Sequence, residues 1–244
     1  MVAKVLAPRE YKANPACIQA IKDEGKKLVE QKGVWDLGSV REWYSVAREA
    51  KQKGQVAHVR MVFPVVVIKS EELPEGDPDR KIKARCVLQG NNVRTEEGKF
   101  ATFDESTTTP STMEASKVSD ALSCQPDFVS ETADADQAYT QTTPKGPPTW
   151  LRLPEFIRPA SWKLKFRDPV VLMLKNLYGH QQASDWWQDY SQKQILSCGF
   201  VLISESWFSV YFHYDRVNLL IVYVDDFKMC GARDNVKWCW GQLK

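Results

Sequence analysis

Alternating apolar and polar residues in the first third of the chain predict two paired strands. The run Met61–Ile68 is almost wholly apolar and predicts a strand, in which Pro64 restricts the first half to an edge or a bulge. The segment Lys81–Leu88 alternates basic and apolar residues, which predicts a second strand paired with the first. Residues 70–80 between them are charged and contain prolines and a glycine, so we expect a connecting loop.

Helical spacing of apolar residues appears in three other segments. Residues 15–32 predict a helix, because Pro15 suits a first turn and the apolar residues that follow recur at helical intervals. Residues 113–123 and 181–196 predict two further helices. In the last of these we expect three side chains to face the core: Trp186, Tyr190 and Ile195.

Strand patterns dominate the C-terminal half. Residues 207–212 and 217–224 are two β-rich runs separated by a short polar segment, which predicts a hairpin, and 227–230 predicts a further strand. Residues 170–174 form a buried strand or a short helix, and another strand begins at Phe128. Because strands and helices mix without a regular β-α-β alternation, the predicted fold class is α+β.

The amino-acid composition says more about the cellular compartment of the protein than about its function. The 244 residues carry a net charge of only +2, so a global basic excess does not indicate a nucleic-acid partner. The six cysteines form no C-x-x-C pair, and we expect buried free thiols rather than a zinc site or disulfides. We find no signal-peptide pattern, and the longest apolar run is too short to span a bilayer. We therefore expect a protein of the cytoplasm or the nucleus, with no membrane partner.

Two adjacent carboxylates, Asp225 and Asp226, interrupt an otherwise apolar strand pattern. Unpaired buried carboxylates are costly, so this pair requires either a solvated turn or a bound cation. Aspartate is a common turn residue, and an isolated Asp-Asp pair favours the turn. The residues around the pair favour the bound cation over the turn.

Several segments resemble the reverse transcriptase of copia-type LTR retrotransposons, in the order in which that family has them. The run 223–226 is Y-V-D-D, the Y-x-D-D signature of the family, and residues 134–139 resemble its other catalytic motif, an aspartate followed five residues later by an aromatic. Residues 174–187 resemble the family pattern L-K-x-x-L-Y-G-L-K-Q-A-P-x-x-W. Three shorter matches are Lys83–Gly90 to K-A-R-L-V-x-x-G, Trp35–Leu37 to W-x-L and Thr109–Pro110 to an S-P turn.

The resemblance implies a reverse-transcriptase-like fold of fingers and palm, with an antiparallel palm sheet packed on helices. It divides the chain into a tail at 1–14, a fingers-like region at 15–127 and a palm at 128–244, with one polymerase domain over 15–244. It also implies RNA- or DNA-directed DNA synthesis with two Mg²⁺ ions, for which Mn²⁺ can substitute, clamping the attacking and leaving oxygens. The implied catalytic and metal-binding residues are Asp134, Asp225 and Asp226. Asp136 is a neighbouring carboxylate for which the alternative is a solvated surface charge.

The same resemblance implies residues that bind nucleotide and nucleic acid. Tyr139 would lie under the incoming sugar and select deoxynucleotides, and the alternative is an ordinary core aromatic. Lys83 and Arg85 share one strand face and could hold the triphosphate, and the alternative is a pair of solvated charges. The remaining nucleotide-binding candidates are Gln137, Tyr178 and Gly179, and the template or primer candidates are Tyr223 and Gln182.

Departures from the family pattern keep other hypotheses open. His180 stands where the family has an apolar residue, and Ser184 stands where it has proline. The family continues beyond the Asp-Asp hairpin into a thumb and a ribonuclease H domain, so we expect a chain truncated before the thumb, with low intrinsic activity. For a cytoplasmic location, the resemblance implies a virus-like particle. Expected partners are an RNA or DNA template-primer, dNTPs and the remaining segments of a longer Pol polyprotein (thumb, ribonuclease H, integrase). The alternative is a non-catalytic nucleic-acid-binding or interaction protein on the same scaffold.

Overall fold

A computed structural model describes residues 2–104, 106, 108 and 110–243 and has a mixed α+β fold, as the sequence pattern predicts. Its contacts divide the chain into two compact units. The first unit comprises Met1–Asp104 and Thr143–Ala183, and the second comprises Glu105–Thr142 and Ser184–Lys244. The boundary between a fingers-like region at 15–127 and a palm at 128–244 stays a prediction.

The described helices and strands follow one another along the chain without a regular alternation. The helices are α1 (Pro8–Ala13), α2 (Pro15–Glu30), α3 (Trp43–Lys53), α4 (Met113–Leu122), α5 (Ala183–Ser197) and α6 (Arg233–Gln242). The strands are β1 (Ala3–Val5), β2 (Arg41–Glu42), β3 (His58–Lys69), β4 (Lys81–Leu88), β5 (Arg94–Thr95), β6 (Phe128–Asp134), β7 (Thr149–Arg152), β8 (Pro169–Leu172), β9 (Val201–Ser204), β10 (Trp207–His213), β11 (Asn218–Tyr223) and β12 (Asp226–Ala232).

In the first unit, the long strand β3 organises the sheet. It pairs with β4 over eight residues in antiparallel register, and also with β1, β5 and β7. Pro64 lies between the stretch of β3 that pairs with β7 and the stretch that pairs with β1, so its missing N–H interrupts neither of those two ladders. Apolar residues of β3, β4, β7 and β8 form the main core with Trp35 and Leu28.

The second unit contains an antiparallel five-stranded sheet in the order β6-β12-β11-β10-β9. Successive residues of β11 pack on opposite faces: Leu219 and Ile221 join the cluster that contains Ala115 of α4. Leu220 and Val222 instead join a cluster with residues of α5 and α6. Helices cover both faces, which explains why β11 is apolar at every position from Leu219 to Val222 instead of at alternate ones.

Most predicted elements are present, and residues 169–172 form a strand. The sequence prediction was wrong for Tyr190, which is 38% exposed, whereas Trp186 and Ile195 are buried. The expectation of buried thiols was wrong for Cys124, which is exposed, and for Cys198, which is half-buried, although all six cysteines are free. Helix α3 was not predicted. Among the described residues, no helix combines the length and the apolar character needed to cross a membrane.

Candidate functional site

The Y-V-D-D segment forms a tight hairpin between β11 and β12. Tyr223 pairs with Asp226, so Val224 and Asp225 alone make the turn. Asp225 therefore lies in a turn, as the simplest interpretation of an Asp-Asp pair predicts, whereas Asp226 is the first residue of a strand. Asp225 is half-buried and Asp226 is exposed.

The sheet brings Asp134 to this hairpin although 91 residues separate it from Asp225. Strand β6 pairs with β12 in a register that places Asp134 directly opposite Asp226. The backbone N–H of Ala135 donates to the carbonyl of Asp225 at 2.8 Å, which ties the turn to the end of β6. Directly opposed residues in such a ladder have Cα atoms about 4.5–5.5 Å apart. The three predicted catalytic aspartates thus lie at one corner of the sheet.

The placement of Asp134 and Asp226 is electrostatically unfavourable without a counter-ion. Two like charges directly opposite each other on neighbouring strands repel. The described residues nevertheless contain no group of three or more His, Cys, Asp or Glu side chains placed to hold a metal ion. Mg²⁺ commonly takes one or two protein carboxylates and completes its octahedral shell with water and phosphate oxygens. The three aspartates fit a Mg²⁺ site of this kind, in which water and substrate oxygens complete the coordination shell. They do not form a preformed site in which the protein supplies every ligand.

The hairpin turn has a strained backbone. Val224 has a φ of +59°, in the left-handed region that β-branched residues rarely occupy. Two-residue hairpin turns usually place glycine or asparagine at such positions. The buried side chain of Trp187 donates its Nε1–H to the carbonyl of Val224 at 2.6 Å. This hydrogen bond from α5 holds the strained turn, and through it the position of Asp225.

Gln137 and Tyr139 follow Asp134 in a short helical turn within the same unit. Gln137 has a φ of +52° and is 5% exposed, and its buried Oε1 has no hydrogen-bond partner among the described residues. Tyr139 is half-buried, and its hydroxyl lies 3.3 Å from Oγ of Ser184. Since Tyr139 is neither fully buried nor fully exposed, its burial is compatible both with a core aromatic and with a ring that contacts a ligand.

A cavity of about 590 Å³ adjoins Asp134 on the second unit. Its acidic lining comes from β6 and the residues that follow, including Glu131, Asp134 and Asp136. Its apolar lining includes Trp187 and Trp240. The volume lies in the range of small-molecule sites, but the acidic lining disfavours a bare phosphate anion.

Lys83 and Arg85, the predicted triphosphate ligands, belong to β4 of the first unit. Their strand positions pair with Val67 and Val65 of β3, so both lie on the same sheet face, as the alternation predicts. Lys83 is exposed and Arg85 is half-buried. The Arg85 guanidinium lies 5.2 Å from the ring centroid of Tyr178, another predicted nucleotide ligand. This is a cation–π contact within the unit.

Gly179 has a structural role that is independent of nucleotide binding. Its φ is +88°, and a Cβ at this position would lie 2.1 Å from the carbonyl oxygen of Leu88. The backbone N–H of Leu88 also donates to the carbonyl of Tyr178 at 2.7 Å. Glycine is therefore required at position 179 for the backbone of Tyr178 and Gly179 to pack against the end of β4. This requirement holds whether or not a nucleotide approaches Gly179.

His180 is a buried, neutral imidazole. It is 6% exposed and packs edge-on against Phe103, which packs in the same way against His58. Burial, followed by the proximity of His58, lowers the pKa of His180 to about 4. Its Nδ1 accepts the backbone N–H of Gln182, the half-buried template candidate. Tyr223, the other template or primer candidate, is 54% exposed.

Two features of the site were missed in the sequence. The role of Trp187 could not be inferred, because its partner is a backbone carbonyl 37 residues away. The strain at Val224 had a signal: a two-residue turn between Tyr223 and Asp226 leaves no glycine for the left-handed position. Thr109, from the predicted Thr109–Pro110 turn, lies outside the described residues.

Comparison with known proteins assigns no family. No protein-family model matches the chain, and the search of curated proteins returns no match.

Proposed function

We propose that the chain is the polymerase core of a reverse transcriptase resembling those of copia-type retrotransposons. Its substrates would be dNTPs and an RNA or DNA template-primer, and further Pol segments would supply the thumb and ribonuclease H. In this proposal the palm at 128–244 contains the antiparallel sheet of the second unit, and the placement of that sheet between helices is compatible with the assignment. The first unit then includes the fingers.

One observation carries the proposal. Asp134 lies directly opposite Asp226, and the turn that contains Asp225 is hydrogen-bonded to Ala135. A turn needs no third aspartate on a neighbouring strand, and like charges directly opposite each other in a sheet are mildly destabilising even where both are exposed, as Asp134 and Asp226 are. A site for divalent cations explains why like charges occupy these positions.

The aspartates would hold Mg²⁺ and orient it between the primer end and the nucleotide phosphates. When bound, the ions would make the primer hydroxyl nucleophilic and neutralise charge on the leaving pyrophosphate. Trp187 would fix the turn, and Tyr139 would contact the incoming sugar. Lys83 and Arg85 would bind phosphate oxygens, a role for which guanidinium and ammonium groups are suited.

Primer extension tests the proposal directly. The wild-type chain, with a homopolymeric RNA template, a DNA primer and Mg²⁺, should incorporate dNTPs, and Asp225→Asn should lose about a hundredfold or more of the rate. Such a loss corresponds to removal of a few kcal/mol of metal-assisted stabilisation. Asp215→Asn is the matched control, because Asp215 lies in the β10–β11 connection of the same sheet. Equal incorporation by the Asp225→Asn and wild-type proteins would refute the proposal.

A metal-binding measurement complements the assay if turnover is low. Mn²⁺ or Mg²⁺ should raise the thermal unfolding midpoint of the wild-type and Asp215→Asn proteins, because binding to the native state stabilises it. The midpoints of Asp134→Asn and Asp225→Asn should rise much less. An equal rise in all four proteins would place the metal elsewhere.

The alternative is a non-catalytic nucleic-acid-binding protein on the same scaffold. Salt-sensitive binding of RNA in EDTA, without nucleotide incorporation in Mg²⁺, would support this alternative.

A further inference from the structure

The cavity of about 590 Å³ in the second unit lies between the five-stranded sheet and helices α5 and α6. Met229 of β12 packs with residues of these helices, and it pairs with Glu131 of β6. Paired residues share one face of a sheet, so Glu131 lies on the face that α5 and α6 cover. Asp134 and Asp226 pair an odd number of positions further along, which puts their side chains on the opposite face. Glu131, rather than Asp134, is thus the β6 carboxylate on the cavity side of the sheet.

Aromatic side chains form much of the cavity wall. They come from α5, β12 and α6, and they are Trp187, Tyr190, Phe227 and Trp240. The ring centroids of Trp187 and Tyr190 are 6.0 Å apart, so the two rings form one continuous part of the wall. Tyr190 is 38% exposed, and Phe227 and Trp240 are half-buried, so these three rings keep surface that the protein does not cover. The face of an aromatic ring carries partial negative charge and attracts cations.

Glu131 adds a full negative charge to this wall. Its side chain is exposed, and its carboxylate forms no hydrogen bond or ion pair with another described residue. Among the described residues that line the cavity, none is a lysine, an arginine or a histidine, and the amides of Gln141, Gln194 and Gln242 are neutral. The charge of Glu131 is therefore not compensated within the described lining. A positively charged ligand is attracted by such a wall, and a negatively charged one is repelled.

We infer that this cavity binds a small organic cation that carries an alkylated ammonium group. The ammonium would pair with Glu131, and its alkyl groups would lie against the rings of Tyr190 and Trp240, the arrangement by which aromatic sites recognise quaternary ammonium ligands. The cavity volume is in the range of small-molecule sites. A bare divalent cation fits this wall less well, because aromatic rings supply none of the oxygen ligands that it needs. The site goes beyond the proposed polymerase function and does not depend on it.

The test measures binding of choline to the full chain by isothermal titration calorimetry, with 3,3-dimethylbutan-1-ol as the uncharged probe of the same shape. The alcohol should bind at least about tenfold more weakly than choline, because it lacks the attraction to the carboxylate and to the rings. Glu131→Gln should bind choline about fivefold more weakly than wild type, the size expected for an exposed ion pair. The control is Glu205→Gln, which removes the same charge from the exposed turn between β9 and β10 at the other edge of the sheet. It should bind choline like wild type.

Three outcomes of this titration would overturn the inference. They are the absence of choline binding to wild type, equal affinities of wild type for choline and the alcohol, and equal choline affinities of Glu131→Gln and Glu205→Gln. Tyr190→Leu tests the aromatic wall separately, since it keeps an apolar side chain and removes the ring. It should weaken choline binding about threefold and leave binding of the alcohol nearly unchanged. An equal loss for both probes would show that the ring only fills space and would overturn the cation assignment.

Two further measurements separate this site from the aspartate hairpin and from a metal site. Asp226→Asn should bind choline like wild type, because Asp226 lies on the other face of the sheet. Failure of the polymerase proposal would then leave the choline result unchanged, whereas loss of choline binding in Asp226→Asn would move the site to the hairpin and overturn the inference. Mg²⁺ at constant ionic strength should not displace choline. Displacement by Mg²⁺ from wild type but not from Glu131→Gln would assign the cavity to a divalent cation instead.

Discussion

The hydrogen bond from Trp187 to the strained turn gives the most direct test of how the Y-V-D-D hairpin is held. The perturbation is Trp187→Phe, which keeps an aromatic ring in α5 but removes the donor to the carbonyl of Val224. The matched control is Trp35→Phe. Trp35 is equally buried, at 1% exposed, but its Nε1 has no partner among the described residues.

The expected difference follows from the two hydrogen-bonding states. Both substitutions lose the same volume from a buried position, so their cavity costs largely cancel in the comparison. Trp187→Phe breaks a satisfied bond and leaves a carbonyl without its donor, whereas Trp35→Phe removes a donor that was already unsatisfied. The difference in unfolding free energy should be about 2 kcal/mol. For a chain of this length, that corresponds to a midpoint roughly 4–8 °C lower for Trp187→Phe.

Thermal unfolding followed by circular dichroism measures both variants against wild type. Glycine accepts the left-handed backbone at position 224 without strain, so adding Val224→Gly to Trp187→Phe should recover part of the loss, on the order of 1 kcal/mol. If Trp187→Phe and Trp35→Phe melt within about 1 °C of each other, the hydrogen bond contributes little and the reasoning is wrong.

Two further substitutions test the first unit. The pKa of buried His180, about 4, lies below the ordinary value of 6.5, so its contribution to stability is present above pH 6.5 and is lost as the pH falls towards 4. Wild type should lose about 2 kcal/mol more than His180→Leu between pH 7 and pH 5 in urea unfolding, and equal losses would contradict a buried neutral imidazole. Gly179→Ala should lower the free energy of unfolding by more than about 2 kcal/mol, because the new Cβ would meet the carbonyl of Leu88. Gly54 also has a positive φ but open space around it, so Gly54→Ala should lower the free energy of unfolding by only about 1 kcal/mol. Urea unfolding of both glycine variants checks this, and equal costs would show that the clash is relieved without strain.

Local patterns in the sequence determined most of the secondary structure. The alternation in Lys81–Leu88 fixed which residues share a face of β4, and the helical spacing after Pro15 marked α2. These predictions succeeded because each depends on neighbours within one turn or one strand. Tyr190 was misplaced because the helical period indicates which residues share a face, but not how far the packing partner extends along the helix.

Only the tertiary structure decided how the candidate site is assembled. The sequence marked Asp134 and Asp225 by resemblance, but the register of β6 against β12 placed Asp226, rather than Asp225, directly opposite Asp134. The hydrogen bond from Trp187 to the carbonyl of Val224 also joins residues that are distant in the chain. Such contacts depend on strand order and register, which are set by the burial of whole faces rather than by any local pattern.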